Sequence, residues 1–149
     1  MVEEAIQFDR DLIGVEYPGG TFTITKELIK KFCQAVGEDN PIFTSEEAAR
    51  RAGFKGLVAP PTMCVGVSSV TYPKTGLERG RHKLAASSSM EFLVPVIEGD
   101  TLEARIRLKD VYTKTGRSGT MVFIVWVTTF TNQRGEKVAA VQQSYAARK

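Results

Sequence analysis

Histidine is nearly absent from this 149-residue chain: His82 is the only one. A reaction that needs an imidazole proton shuttle therefore has a single candidate, and it falls in a loop or strand start after Gly80, where a surface role is the simpler reading. Cysteine is scarce too. Cys33 and Cys64 lack metal-type spacing and read as reduced core thiols, with a Cys33–Cys64 disulfide as the alternative. No apolar run reaches the roughly 18 residues of a membrane span. The acidic start Met1-Val2-Glu3-Glu4-Ala5 has neither the basic nor the apolar region of a secretory leader, so a cytoplasmic protein is expected. No glycine-rich phosphate loop is present, because Gly14, Gly19 and Gly20 lack a strand–turn–helix context. No motif suggests a metal or redox cofactor, and none is expected. The net charge of +3 and a pI near 8.9 are mild. They argue against a nucleic-acid partner, whose surface would cluster its basic residues more strongly.

What is present suits one domain with one core: 42% of the residues are hydrophobic. Up to about residue 75 the chain reads helical. A short strand at 21–24 leads to Thr25, which can cap a helix over Lys26–Val36. Leu28, Ile29, Phe32, Cys33 and Val36 form its apolar face and Gly37 stops it. Glu38-Asp39-Asn40-Pro41 reads as an irregular polar turn. Thr44 and Glu47 form a capping box for a short helix over 45–52, closed by Gly53. Pro61 suits the first position of a third helix reaching Thr71, with Pro73 beyond it. That helix carries no charge over 63–70, so it belongs in the interior.

From about residue 83 the chain reads as long strands. The first covers 83–96, broken by Pro95, and Gly99-Asp100 turns it into the next. Over 101–109, Leu102, Ala104, Ile106 and Leu108 alternate with Glu103, Arg105, Arg107 and Lys109, a strand with one wet face. A turn at 115–119 follows. The strand over 121–130 is apolar on both faces through Val127, which predicts cover on its outer side, supplied by a partner. Asn132-Gln133-Arg134-Gly135 turns into a last strand over 138–146. Antiparallel strands plus one uncharged helix predict an α+β fold in which the sheet curls around that helix; a two-layer sandwich is the rival.

Gly37-Glu38-Asp39-Asn40-Pro41-Ile42-Phe43 resembles the hydratase motif of the MaoC-like family, Gly-Asp-x-Asn-Pro-x-His. Residues 48–63 (AARRAGFKGLVAPPTM) resemble that family's approach to its central helix. Residues 91–102 (EFLVPVIEGDTL) resemble its strand, Pro, Gly-Asp turn and strand, and Leu12-Ile13-Gly14 resembles its N-terminal entry. The pattern is similar to the fungal fatty-acid-synthase-like dehydratase domains. The resemblance implies a hotdog fold and (R)-specific hydration of a 2-enoyl thioester, or the reverse dehydration. In the family an Asp and a His hold the water and a backbone N–H at the start of the central helix serves the thioester oxygen. Carried over, the Asp position falls on Glu38, the variable position on Asp39, and the His position on Phe43, which cannot transfer a proton. Asn40 and Pro41 keep the turn. The N–H of Thr62 or Met63 takes the oxyanion position.

The resemblance therefore implies a substrate-binding subunit that pairs with a catalytic MaoC-type chain and takes an acyl-CoA or acyl-carrier-protein thioester. Arg79, Arg81 and Lys83 would meet the phosphates of coenzyme A; a solvated loop explains them as well. The alternatives are a self-sufficient homodimeric hydratase using Glu38 or Asp39, with His82 brought in from elsewhere, a hotdog thioesterase, and a non-enzymatic acyl-thioester binder. For Glu38-Asp39-Asn40 the bland reading is a loop that caps a helix. Ser87-Ser88-Ser89 would line an acyl tunnel or pack against the helix. Homo- or heterodimers are expected, since a hotdog sheet otherwise leaves an edge strand open.

Overall fold

The computed structural model describes residues 8–67, 70–77 and 83–148. Their elements are a short 3-10 turn at Arg10–Leu12, then β1 (Glu16–Thr23), α1 (Lys26–Val36), α2 (Pro41–Thr44), α3 (Glu46–Arg51), α4 (Met63–Val67), β2 (Lys83–Phe92), β3 (Thr101–Gly116), β4 (Gly119–Asn132) and β5 (Lys137–Arg148). One antiparallel five-stranded sheet runs in the order β1-β3-β4-β5-β2. Its inner face and α4 share a core in which Met63 and Cys64 meet Leu102, Ala104, Phe130 and Val141, with Ile29 and Cys33 of α1 closing one side. This is the hotdog arrangement.

Local chemistry accounts for the boundaries of α1. Thr25 Oγ1 accepts from the Leu28 N–H at 3.2 Å, and Gly37 closes the helix in the left-handed region at φ 72°. The buried face is narrower than its apolar pattern: Ile29 and Cys33 are buried, while Leu28 and Val36 keep 37% and 58% of their surface. The next segment departs from expectation. Residues 41–44 are a single helical turn rather than part of an irregular loop, because Asn40 Oδ1 accepts from the Ile42 N–H and Pro41 presets the first position. That turn engages Thr44, whose hydroxyl donates to the Asn40 carbonyl at 3.3 Å. Ser45 is therefore the cap of α3, accepting from the Ala48 N–H at 3.3 Å, and no capping box forms through Thr44. Lys26 joins Glu46 at 2.7 Å and ties α1 to α3.

The central helix is also shorter than its uncharged run. It starts at Met63, after a turn in which the Met63 N–H donates to the Pro60 carbonyl at 2.9 Å, so Pro61 precedes it rather than opening it. Val70 and Thr71 are not helical. Pro73 restrains the residue before it, and Tyr72 instead stacks on Trp126 at 5.3 Å.

β1, β3, β4 and β5 outgrow their predicted lengths, while β2 falls short of its own. β1 begins at Glu16, and Gly19 sits at a register shift where a Cβ would lie 2.9 Å from Ala104 Cβ and 3.0 Å from its carbonyl oxygen. β2 ends at Phe92 instead of reaching Val96, because Leu93 and Val94 both donate to the Val138 carbonyl and the chain leaves the sheet. β3 and β4 meet in a hairpin at Gly116 and Gly119. Part of the outer face of β4 is covered by its own neighbours: Val125 is 6% exposed, and Phe123 stacks on Tyr112 at 5.0 Å beneath Lys114. Among the described residues no helix is long and apolar enough to cross a membrane.

Candidate functional site

Three separated stretches of chain meet beside the start of α4 and leave an apolar cavity of about 360 Å3. Ile42 and Phe43 of α2 form one wall, with Phe54 from the loop after α3. Pro60, Pro61 and Cys64 form another. Residues 92–96 and the start of β5, Val138 and Ala139, complete it. Every lining side chain is a hydrocarbon or a thiol. Phe92 and Leu93 remain 44% and 47% exposed, so the cavity lies next to the β2 edge. Its volume is within the range of small-ligand pockets.

The residues expected to carry chemistry are distributed unevenly around it. Phe43 is in the wall. Glu38, Asp39 and Asn40 are not: Glu38 Oε1 accepts from the Asn40 N–H at 2.9 Å, Asn40 Oδ1 accepts from the Ile42 N–H at 3.2 Å, and Asp39 is exposed. Both side-chain bonds hold the loop that presents Phe43. Met63 is fully buried in the core and its N–H is already given to Pro60. The Thr62 N–H has no acceptor among the described residues, and its residue is exposed.

The two cysteines are free and buried. Burial pushes the Cys33 thiol up, aided by the charge of Glu38. Burial likewise pushes up Cys64, whose Sγ donates to the Pro61 carbonyl at 3.4 Å while bordering the cavity. Neutral thiols are poor nucleophiles. Among the described residues, then, no carboxylate or imidazole lines the cavity.

Ser87, Ser88 and Ser89 sit on the exposed β2 strand and line no part of this cavity. Ser87 Oγ meets Ser144 Oγ at 2.6 Å across the strands. Lys83 opens β2 on the surface; Arg79, Arg81 and His82 lie outside the described residues.

A second group was hidden from the sequence. On the inner face of the sheet Tyr72 donates its hydroxyl to Gln143 Oε1, with Thr128 and Tyr145 beside it around a smaller cavity of about 120 Å3. Burial pushes the Tyr72 phenol up to about 12, so it stays a neutral donor. Only the alternation of β5 hinted that Gln143 points inward.

A curled sheet on a short central helix, with an apolar cavity at the helix start, defines a hotdog protein. Residues 11–141 match the model of the FAS1-like dehydratase domain region. The chain belongs to that family, within the MaoC-like hydratases and dehydratases. It is 32% identical over 140 residues to a UPF0336 protein of Parafrankia sp., covering 88% of each chain. It is 28% identical over 138 residues to a probable enoyl-CoA hydratase alpha subunit of Thermomonospora curvata, covering 80% of this chain and 43% of that one. Its fold superposes on a chain of the HadBC 3R-hydroxyacyl-ACP dehydratase complex of Mycobacterium tuberculosis with a TM-score of 0.74 and 27% identity, over 91% of this chain and 97% of that one.

Proposed function

We propose that this chain is the substrate-binding half of a two-subunit (R)-specific hydratase or dehydratase acting on an acyl thioester. One observation carries the reading: Phe43, at the family's histidine position, is a wall of an apolar cavity rather than a proton carrier. Adding water to an enoyl thioester needs a group that takes a proton and a donor for the enolate oxygen. The Glu38 carboxylate is bonded to the loop backbone, and a hydrocarbon-lined cavity does not hold a polarised water. The same cavity suits an acyl chain, which gains about 0.8 kcal/mol per buried methylene. The Thr62 N–H, free of described acceptors, would serve the thioester oxygen.

The partner reading is supported by the names of two relatives, an alpha subunit and the HadBC complex. β2 is exposed along its length at the sheet edge, with Leu84 at 65% and Met90 at 38% exposure. An open edge that carries exposed Leu84, Met90 and Phe92 is a surface that another strand covers. The dyad-bearing partner would supply the acid–base groups, and this chain the acyl wall.

The deciding assay follows hydration of a 2-enoyl-CoA by its conjugated thioester absorbance. The purified chain alone gives no turnover, and activity appears when a chain bearing Gly-Asp-x-Asn-Pro-x-His is added. Robust turnover by the chain alone, collapsing in Glu38→Ala or Asp39→Ala, overturns the proposal.

A further inference from the structure

Along the inner face of the sheet the acyl cavity is followed by a chamber of different chemistry. Ala139 borders the first cavity, and Val141 and Gln143 border the second. All three alternate on one face of β5, so Ala139 and Gln143 stand about 13 Å apart by strand rise. Phe130, the cross-strand partner of Ala139, lines the second chamber, while Ala139 lines the first.

The neighbouring core is hydrocarbon, yet here Thr128 is buried to 3% exposure beside the Tyr72 hydroxyl and the Gln143 amide. Burying such groups is unfavourable unless they are bonded. Tyr72 donates to Gln143 Oε1, which leaves the Gln143 NH2 without an acceptor among the described residues. Aromatic contacts hold the cluster in place: Tyr72 stacks on Trp126 at 5.3 Å and meets Tyr145 edge-on at 5.7 Å. The result is an amide donor that borders about 120 Å3 of open space on the same face of β5 as the acyl cavity, and also a shallower hollow beside Ser87 and Ser88 of β2.

We infer that this chamber is a subsite for an oxygen on the distal part of the acyl group, a hydroxyl or keto substituent accepted by the Gln143 NH2. The inference rests on the acyl-thioester reading above. It makes Gln143 and Tyr72 determinants of which acyl groups the subunit takes.

The test is calorimetric titration of the purified chain with decanoyl-CoA and with decanoyl-CoAs carrying one hydroxyl, stepped from mid-chain to the end. At one position the hydroxylated ligand binds about three- to tenfold tighter than its parent, the yield of one added hydrogen bond. Gln143→Leu removes that gain, and Tyr72→Phe, which frees the amide to turn, reduces it. A merely structural role would weaken parent and hydroxylated ligands alike and leave their ratio unchanged, which overturns the inference. A hydroxyl penalised at every position also overturns it, while the acyl reading survives. No binding of decanoyl-CoA itself brings down both.

Discussion

The Glu38 carboxylate accepts the Asn40 N–H at 2.9 Å, two residues along the same loop. Glu38, which the motif resemblance sets at the family's Asp position, is thus part of the scaffold that holds α2 and Phe43. Glu38→Gln keeps an acceptor oxygen for that N–H. In the reconstituted pair it is expected to change kcat by less than about threefold, against the roughly 10²- to 10⁴-fold loss of a true general base. Steady-state kinetics of Glu38→Gln and Asp39→Asn in the pair decide it.

Filling the cavity tests the acyl wall. Ala139 lines it and is 2% exposed. Ala139→Leu places three further carbons there and is expected to weaken binding of a long acyl-CoA by about tenfold or more, since each methylene excluded forfeits about 0.8 kcal/mol. Thermal unfolding of the variant close to wild type would show that the cavity took the added volume.

The β2 edge gives a prediction about assembly. Met90 lies on the inner side of that strand, opposite Val141, and is 38% exposed. Met90→Lys puts a charge where a covering strand would sit. Analytical ultracentrifugation of the chain mixed with its dyad-bearing partner is expected to show a heterodimer for wild type and separate chains for the variant. An unchanged dimer would place the interface elsewhere.

Acid stability should depend on one buried carboxylate. Asp100 is 2% exposed and accepts from the Ile97 N–H at 3.1 Å, Gln133 Nε2 at 3.0 Å and Arg134 Nη1 at 3.0 Å. Burial pushes its carboxyl up, but the Arg134 guanidinium and the other donors outweigh that and hold it below its ordinary value. A depressed folded pKa contributes stability above the usual carboxylate range, lost as pH falls through and below it. Asp100→Ala is expected to cost about 2 kcal/mol at neutral pH. Urea melts between neutral pH and pH of about 3 should show a flatter pH dependence than wild type.

Gly19 is required by proximity. Its missing Cβ would stand 2.9 Å from Ala104 Cβ and 3.0 Å from a backbone oxygen, neither of which can swing away. Gly19→Ala is expected to cost about 2 kcal/mol, as overpacking does, read as a lower urea midpoint with an unchanged slope.

Much of the fold was written in local pattern. The alternation from Leu102 to Leu108 gives a strand whose odd and even residues do face water and core. Thr25 and Gly37 bound α1 through interactions within four residues of chain. The Gly99-Asp100 turn needs only a left-handed glycine and a carboxylate that reaches back to the Ile97 N–H. Periodicity, caps and turns are short-range, so they are legible one segment at a time. Phe43 in place of histidine was legible too, since it needs only the motif.

What that phenylalanine does was not. Its cavity is assembled from α2, the start of α4, residues 92–96 and β5, and no local rule brings those together. The competition at Thr44 went to the Asn40 carbonyl, which left Ser45 to cap α3. Tyr72, just past the predicted helix end at Thr71, packs on the face of Trp126 and so places its phenol against Gln143, 71 residues further on. The sequence alone determined the alternation of the strands, the caps of α1 and the presence of phenylalanine at position 43. Only the tertiary structure determined that Phe43 is a wall of an apolar cavity and that Tyr72 and Gln143 meet around a second one, because burial and polar partnership are properties of surfaces brought together from distant parts of the chain.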